Sequence, residues 1–154
     1  MAERGELILA SHRVSDPQAL LAEVLDRWGA PVAVVADRLR EAELRDALEA
    51  VRFPRCDLVI QGQGFKDGSD DVRLFRRAVL DDRAHPAWSL LLNAAMSAAR
   101  TVGDPAGNHK PAKKALGGKR AAARDDAAAA AILAVACGYR LCHQAPARPR
   151  RRLR

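Results

Sequence analysis

The feature that most constrains this fold is a short apolar run at residues 32–36 (VAVVA), which ends abruptly at Asp37. A continuous Val/Ala run of this length is typical of a strand buried on both faces, as in the middle of a parallel sheet. Ligands and catalytic groups in open α/β sheets gather at the carboxyl ends of such strands, which is where Asp37 stands. Two interpretations of Asp37 remain open. It is either a functional carboxylate or a cap for the helix predicted over residues 40–51.

Strand and helix patterns alternate along the first half of the chain. Residues 6–10 (ELILA) form a first predicted strand. Ser15 and Gln18 have the spacing of a capping box, Pro17 suits a first helical turn, and Gly29 is placed to end that helix. Residues 57–61 (DLVIQ) again read as a strand. This alternation predicts an α/β fold with a largely parallel sheet.

The second half contains three further predicted helices. The first is capped by Ser69, with Asp70 and Asp71 in its first turn. The second opens at His85-Pro86. The third is rich in alanine, begins near Arg124-Asp125-Asp126, and is slim enough to lie very close to a sheet.

A glycine-rich segment at residues 62–68 (GQGFKDG) stands between a predicted strand and a predicted helix. Its spacing is GxGxxxG, whereas the dinucleotide-binding fingerprint is GxGxxG followed by an acidic strand end about 20 residues later. Neither condition is met. The glycines therefore favour an ordinary flexible loop, and a nucleotide-binding oxidoreductase ranks last among the hypotheses.

Length and charge define the class of protein and its partners. The 154 residues suit one domain, which we place at residues 1–143, followed by a basic disordered tail at 144–154. The net charge of +7 favours an anionic partner, with nucleic acid first, although the tail alone could account for much of it. No apolar run approaches about 18 residues and no signal peptide is evident, so we expect a cytoplasmic protein without membrane contact.

Acidic residues stand at two places where chemistry would need them. Asp37 ends a strand, and Asp125 and Asp126 lie in the first turn of the last helix. Acidic residues in a first turn also complement the helix dipole without any further function. The residues alone do not decide between these interpretations.

In several segments the chain resembles the nuclease domain of phage terminase large subunits. The resemblance lies in the order of four segments and covers residues from about 6 to about 140. These segments are Val34-Val35-Ala36-Asp37-Arg38 before a helix, the loop at residues 61–68, Asn108-x-Lys110, and the basic-to-alanine-rich stretch at residues 119–139.

The resemblance implies an RNase H-like fold, in which helices flank a mixed sheet. It also implies that such a domain cleaves concatemeric viral DNA during packaging with two Mg²⁺ or Mn²⁺ ions. Asp37 and Asp126 would be metal ligands and catalytic acids, with Asp125 the less favoured choice. A basic set would bind DNA phosphates: Lys110, Lys113, Lys114, Lys119 and Arg120. The implied partners are double-stranded DNA and other terminase or portal components, in the cytoplasm of a bacterial host.

One departure from the family limits the predicted activity. The chain begins at what looks like the third strand of such a domain, so the first strands and their metal-binding aspartate are expected to be missing. We therefore predict an incomplete nuclease domain with impaired cleavage. The alternative is a non-catalytic module, a remnant that binds DNA or another terminase component.

Overall fold

The computed structural model describes residues 7–9, 16–62, 64–87, 89–112 and 126–143. Within these ranges the chain forms five α-helices and six short strands, which confirms the predicted mixed α/β class. The helices are α1 (Pro17–Trp28), α2 (Glu41–Ala50), α3 (Phe65–Leu80), α4 (Leu90–Ala98) and α5 (Asp126–His143). The strands are β1 (Leu7–Leu9), β2 (Ala33–Asp37), β3 (Asp57–Gln61), β4 (Ala84–Pro86), β5 (Thr101–Gly103) and β6 (His109–Pro111). The predicted tail at 144–154 lies outside the described residues.

The first helix has the predicted Pro17 start and Gly29 end but a different cap. The carboxylate of Asp16 accepts hydrogen bonds from the backbone N–H groups of Gln18 (2.9 Å) and Ala19 (3.4 Å), so Asp16 is the N-cap. Ser15, the predicted cap, lies outside the described residues. Gly29 adopts a φ of 77°, a left-handed value that favours glycine, and its N–H bonds to the carbonyl of Leu25.

The strands form parallel and antiparallel pairs. β2 pairs with β3 in parallel, with Asp37 opposite Gln61 at the carboxyl end, and β5 and β6 form an antiparallel hairpin. β2 is half-buried along its length rather than fully buried, and residues of α1, β2 and α2 line a groove of about 500 Å³ beside it. None of the helices in the described ranges combines the length and hydrophobicity that crossing a bilayer requires.

The helix predicted to open at His85-Pro86 begins later. Residues 84–86 instead form β4, which pairs in parallel with β1, opposite Leu7 to Leu9. The backbone of this segment is therefore extended, and α4 starts at Leu90. The hydroxyl of Ser89 accepts a hydrogen bond from the N–H of Leu92 at 3.2 Å and caps the helix.

The start of α3 also differs from the prediction. The helix begins at Phe65 and not after Ser69, so the second half of the glycine-rich segment is helical. Ser69 lies inside α3, where its hydroxyl accepts a hydrogen bond from the backbone N–H of His109 (3.3 Å). Gly68 is buried, and a Cβ at this position would lie 2.9 Å from the Cβ of Lys110. Its missing side chain therefore lets the β5–β6 hairpin lie against α3.

The core is built from small aliphatic side chains, and α5 supplies most of them. Ala128, Ala131, Ile132, Val135 and Ala136 recur at helical spacing and are buried. The helix packs against α3, α4, β1 and β2. A central cluster joins Val135 to Ala78 of α3 and Ala84 of β4. The sequence predicted that these alanines would let α5 lie close to a sheet; the helix contacts β1 and β2, and it also packs against α3 and α4.

The contact at Gly68 gives a first testable prediction. Gly68→Val should lower the free energy of unfolding by about 2 kcal/mol, because the added carbons overpack the contact with Lys110. Arg76→Val is the matched control, since Arg76 is exposed on the same helix and should change stability by less than about 0.5 kcal/mol. Urea denaturation measures both, and equal effects would contradict the proposed close approach.

Candidate functional site

Asp37 is the last residue of β2 and lies half-buried at the carboxyl end of the β2–β3 pair. Its Oδ1 accepts a hydrogen bond from the backbone N–H of Leu39 at 3.3 Å and begins the 3-10 turn Arg38–Arg40. Asp37 therefore caps this turn and not the predicted helix itself, because the N-cap residue of α2 is Arg40. Within the described ranges no hydrogen bond reaches its Oδ2. A role for Asp37 beyond the cap stays a prediction.

Gln61 is the neighbour of Asp37 across the sheet. The two residues are partners in the parallel register, and partners in adjacent strands share one face of the pleated sheet. The side chains of Asp37 and Gln61 therefore lie side by side at this edge of the β2–β3 pair.

Asp71 is the centre of a buried ion pair. It is only 2% exposed, and its Oδ1 accepts a hydrogen bond from Nη2 of Arg140 at 2.5 Å. The same nitrogen lies 2.7 Å from Oδ2 of Asp70, so one guanidinium of α5 contacts two adjacent carboxylates of α3. Asp70 also pairs with Arg73 at 2.5 Å on the exposed side of the helix.

The environment shifts the three pKa values in different directions. Burial raises the pKa of Asp71, against the opposing effect of the hydrogen bond from Arg140. The hydrogen bond from Arg140, and after it the one from Arg73, lowers the pKa of the more exposed Asp70. Burial disfavours the charged Arg140, but the two carboxylates outweigh it and raise the pKa of that guanidinium. Arg140 therefore stays charged and holds the two helices together.

Sequence reasoning missed the role of this ion pair. Asp70 and Asp71 were predicted to complement a helix dipole in the first turn, but α3 starts earlier and places them in its second turn. The helical periodicity of this segment did indicate that Asp71 is buried. Asp71 falls on the same helical stripe as Gly68, Val72 and Phe75, and an acid on a buried stripe requires a partner.

Of the two predicted acids of the last helix, the structure describes one. Asp126 is exposed at the start of α5, and Asp125 is outside the described residues. Since an α-helix rises ~1.5 Å per residue, the Cα atoms of Asp126 and Arg140 are ~21 Å apart along α5. No hydrogen bond in the described ranges joins Asp126 to Asp37. Their approach to within roughly 10 Å, which a shared metal cluster would need, stays a prediction.

The carboxylate of Asp37 is one donor of the kind that Mg²⁺ accepts, since Mg²⁺ is commonly held by one or two carboxylates while it keeps several waters. Within the described ranges, no group of three or more Asp, Glu, His or Cys side chains is placed to hold a metal. A metal site at Asp37 stays a prediction.

The predicted DNA-binding residues are described only in part. Lys110 lies on β6 with its Nζ 4.4 Å from the centre of the Phe65 ring, next to the start of α3. Lys113, Lys114, Lys119 and Arg120 lie outside the described residues. Asn108, which contributed to the resemblance, closes the β5–β6 turn. Its backbone N–H and side-chain amide donate to the carboxylate of Asp104 at 2.8 and 2.9 Å.

Comparisons with known proteins relate this arrangement to one protein. No protein-family profile matches the chain, and no curated protein is significantly similar to it in sequence. The crystal structure of the HK97 bacteriophage large terminase superimposes with a TM-score of 0.65 at 28% sequence identity. The chain is similar to part of a phage large terminase. The match covers 79% of this chain and 25% of the HK97 protein, so the chain spans about a quarter of that terminase.

The ion pair gives a prediction about stability. Arg140→Met should lower the free energy of unfolding by about 3 kcal/mol, because it leaves the buried carboxylate of Asp71 without its cation. Arg73→Met is the matched control and should cost less than about 1 kcal/mol, since that pair is largely exposed. Adding Asp71→Leu to Arg140→Met should recover part of the loss in urea denaturation. Equal effects of the two arginine substitutions would contradict the assignment.

The lowered pKa of Asp70 predicts a pH dependence. A carboxylate whose pKa falls below the ordinary 3.8 on folding stabilises the fold above that value. This contribution is lost as the pH falls through the lower folded pKa. Asp70→Asn should therefore flatten the decline in denaturation midpoint as the pH falls below the ordinary 3.8 and through the lower folded pKa. Asp46→Asn, at an exposed position of α2, is the control. An unchanged slope in Asp70→Asn would contradict the prediction.

Proposed function

We propose that this chain is a nuclease-domain segment of a phage large terminase, with weak metal-dependent cleavage and retained DNA binding. The observation that supports it best is the likeness to the HK97 large terminase at 28% identity over 79% of the chain. The position of Asp37 at the carboxyl end of β2 agrees with this role, because ligands of α/β sheets gather at that edge.

The proposed site uses few carboxylates. Asp37 would hold a Mg²⁺ or Mn²⁺ ion through its Oδ2, and Asp126, or less favourably Asp125, would supply the acid of the last helix. When bound, the metal supplies charge stabilisation and activation of water for phosphodiester hydrolysis. Asp70 and Asp71 would add little to such a site, because their carboxylates are already paired with arginines. Arg140 pairs with both, and Arg73 pairs with Asp70. A pair of carboxylates holds a divalent ion weakly, so we expect slow cleavage.

The DNA contacts in this proposal come from the basic set. Lys110, Lys113, Lys114, Lys119 and Arg120 would bind phosphates of double-stranded DNA without reading its sequence. The place of Lys110 beside the start of α3 supports this, since the N-terminal end of a helix also attracts anions. Other terminase or portal components are further proposed partners.

The second candidate is a non-catalytic module that binds DNA or a terminase component. The observation that favours it is the ion pair between Arg140 and the buried carboxylate of Asp71, which leaves that carboxylate less available to a metal ion. The two candidates share the basic set and differ in the role of Asp37. They therefore predict the same binding and different chemistry.

Plasmid cleavage and filter binding, measured side by side, test the proposal. We expect salt-sensitive binding without sequence preference, and slow cleavage in Mg²⁺ or Mn²⁺ that Asp37→Asn and Asp126→Asn abolish. Lys110→Ala should weaken binding and reduce the slope of log affinity against log salt by about 1.

Three other outcomes are decisive. Metal-dependent cleavage that survives Asp37→Asn would show that the site is wrongly placed. Undetectable cleavage with intact binding would leave the non-catalytic module. Failure to bind DNA at low salt would exclude both candidates. Arg76→Ala, at an exposed position of α3 about three turns from its start, is the control for the lysine substitution and should change the affinity less than Lys110→Ala does.

A further inference from the structure

Lys110 of β6 is held against α3 by three contacts. Its neighbour His109 donates its backbone N–H to Oγ of Ser69 at 3.3 Å. Its Cβ lies over Gly68, where an added Cβ would come within 2.9 Å of it. Its Nζ lies 4.4 Å from the centre of the Phe65 ring. The backbone beside this lysine, its Cβ and its ammonium group are thus each in contact with one residue of the same helix.

The three contact residues share one face of α3. Positions 65, 68 and 69 are separated by three and four residues, the spacing at which side chains on a helix are neighbours. The side chain of Lys110 has its Cβ beside Gly68 and its Nζ beside Phe65, the first residue of the helix. It therefore runs along this face toward the start of α3, and both of its ends are held.

The Phe65 ring holds the ammonium group without cancelling its charge. The face of an aromatic ring attracts a cation within about 6 Å of the ring centre, and Nζ of Lys110 lies inside that limit. Unlike a carboxylate, a phenyl ring brings no negative charge to the pair. An ammonium group has three N–H donors, and a ring covers only the side that faces it. A cation–π contact is therefore compatible with a simultaneous bond to a phosphate oxygen.

We propose that Phe65 is a positioning residue for DNA binding, and that its ring holds the ammonium group of Lys110 in place for a DNA phosphate. This inference rests on the DNA contact proposed for Lys110. A lysine side chain is among those that lose the most rotamer freedom when they become ordered. A lysine that is already ordered in the free protein loses less of that freedom when DNA arrives, and so binds it more tightly.

Filter binding of double-stranded DNA over a range of salt concentrations tests the inference. Phe65→Leu keeps an apolar side chain but removes the ring, and should weaken binding between about 2-fold and about 5-fold. Because Lys110 keeps its charge in this variant, the slope of log affinity against log salt should match that of the wild-type chain. Phe65→Tyr, which keeps the ring, should restore the affinity.

A double-mutant cycle tests whether the ring acts through the lysine. In a Lys110→Ala chain, the further substitution Phe65→Leu should cause no additional loss of DNA affinity. Phe75→Leu is the matched control, because it makes the same replacement ~15 Å farther along α3, against the core cluster, and should leave the affinity unchanged. Circular dichroism verifies that each variant is folded.

A second measurement uses the wild-type chain alone. In ¹H–¹³C NMR spectra, the ring current of Phe65 should separate the Hε resonances of Lys110 from those of Lys66, an exposed lysine at the same end of α3. A short DNA duplex should then move the Hε resonances of Lys110. Resonances of Lys110 that stay unmoved when the duplex is bound would overturn the inference.

The outcomes separate this inference from the proposed function. If Lys110→Ala weakens binding and Phe65→Leu does not, the positioning role is wrong and the DNA contact of Lys110 stands. If Phe65→Leu strengthens binding, the ring withholds the lysine from DNA, and the inference is again wrong. An unchanged affinity in Lys110→Ala would remove the inference and leave DNA binding to the other basic residues. If the wild-type chain does not bind DNA at low salt, the inference and the proposed DNA binding both fall.

Discussion

The ion pair between Arg140 and Asp71 is the interaction on which the described structure most depends. An ionised carboxylate at 2% exposure is costly unless a charge and a hydrogen bond compensate it, and here Arg140 of α5 supplies both. Asp71 would be unfavourable in α3 alone. The packing of α5 against α3 is therefore what makes this buried acid tolerable in the fold.

The pair also requires the helices to pack closely. Val135, Ala136 and Ala78 are almost wholly buried between α3, α5 and β4, and Gly68 admits the β5–β6 hairpin on another side of α3. Larger side chains at these positions would hold the helix axes apart and draw Arg140 away from the carboxylates. Small residues and the buried charge are thus parts of one arrangement, which agrees with a chain containing only 4% aromatic residues.

The sequence was sufficient for features that depend on neighbouring residues. Apolar runs located β2 and β3, Pro17 and Gly29 bounded α1, and alanine spacing gave α5 its buried face. For features that depend on residues distant in sequence, the predictions were wrong or the feature was not predicted. His85 was predicted to open a helix, because its strand partner, Ile8, is far away in sequence and no neighbouring residue indicates the pairing. Ser69 was predicted to be a cap, because no neighbouring residue shows that α3 begins at Phe65. The partners Asp71 and Arg140 are 69 residues apart, so their pairing is visible only in the fold.

The cap and the proposed cation site at Asp37 would use different oxygens of one side chain. Oδ1 accepts the N–H of Leu39 and fixes the carboxylate at the end of β2, which would reduce the entropy lost if Oδ2 bound a cation. Arg140 and Arg73 balance the charges of Asp70 and Asp71, so in the proposed site the negative charge of Asp37 would attract that cation. Without a cation the same charge would repel a DNA phosphate, whereas Lys110, beside the start of α3, would attract one. DNA held by the basic residues would thus approach Asp37 favourably only when a divalent ion is present, and metal should add to DNA affinity in the wild-type chain but not after Asp37→Asn.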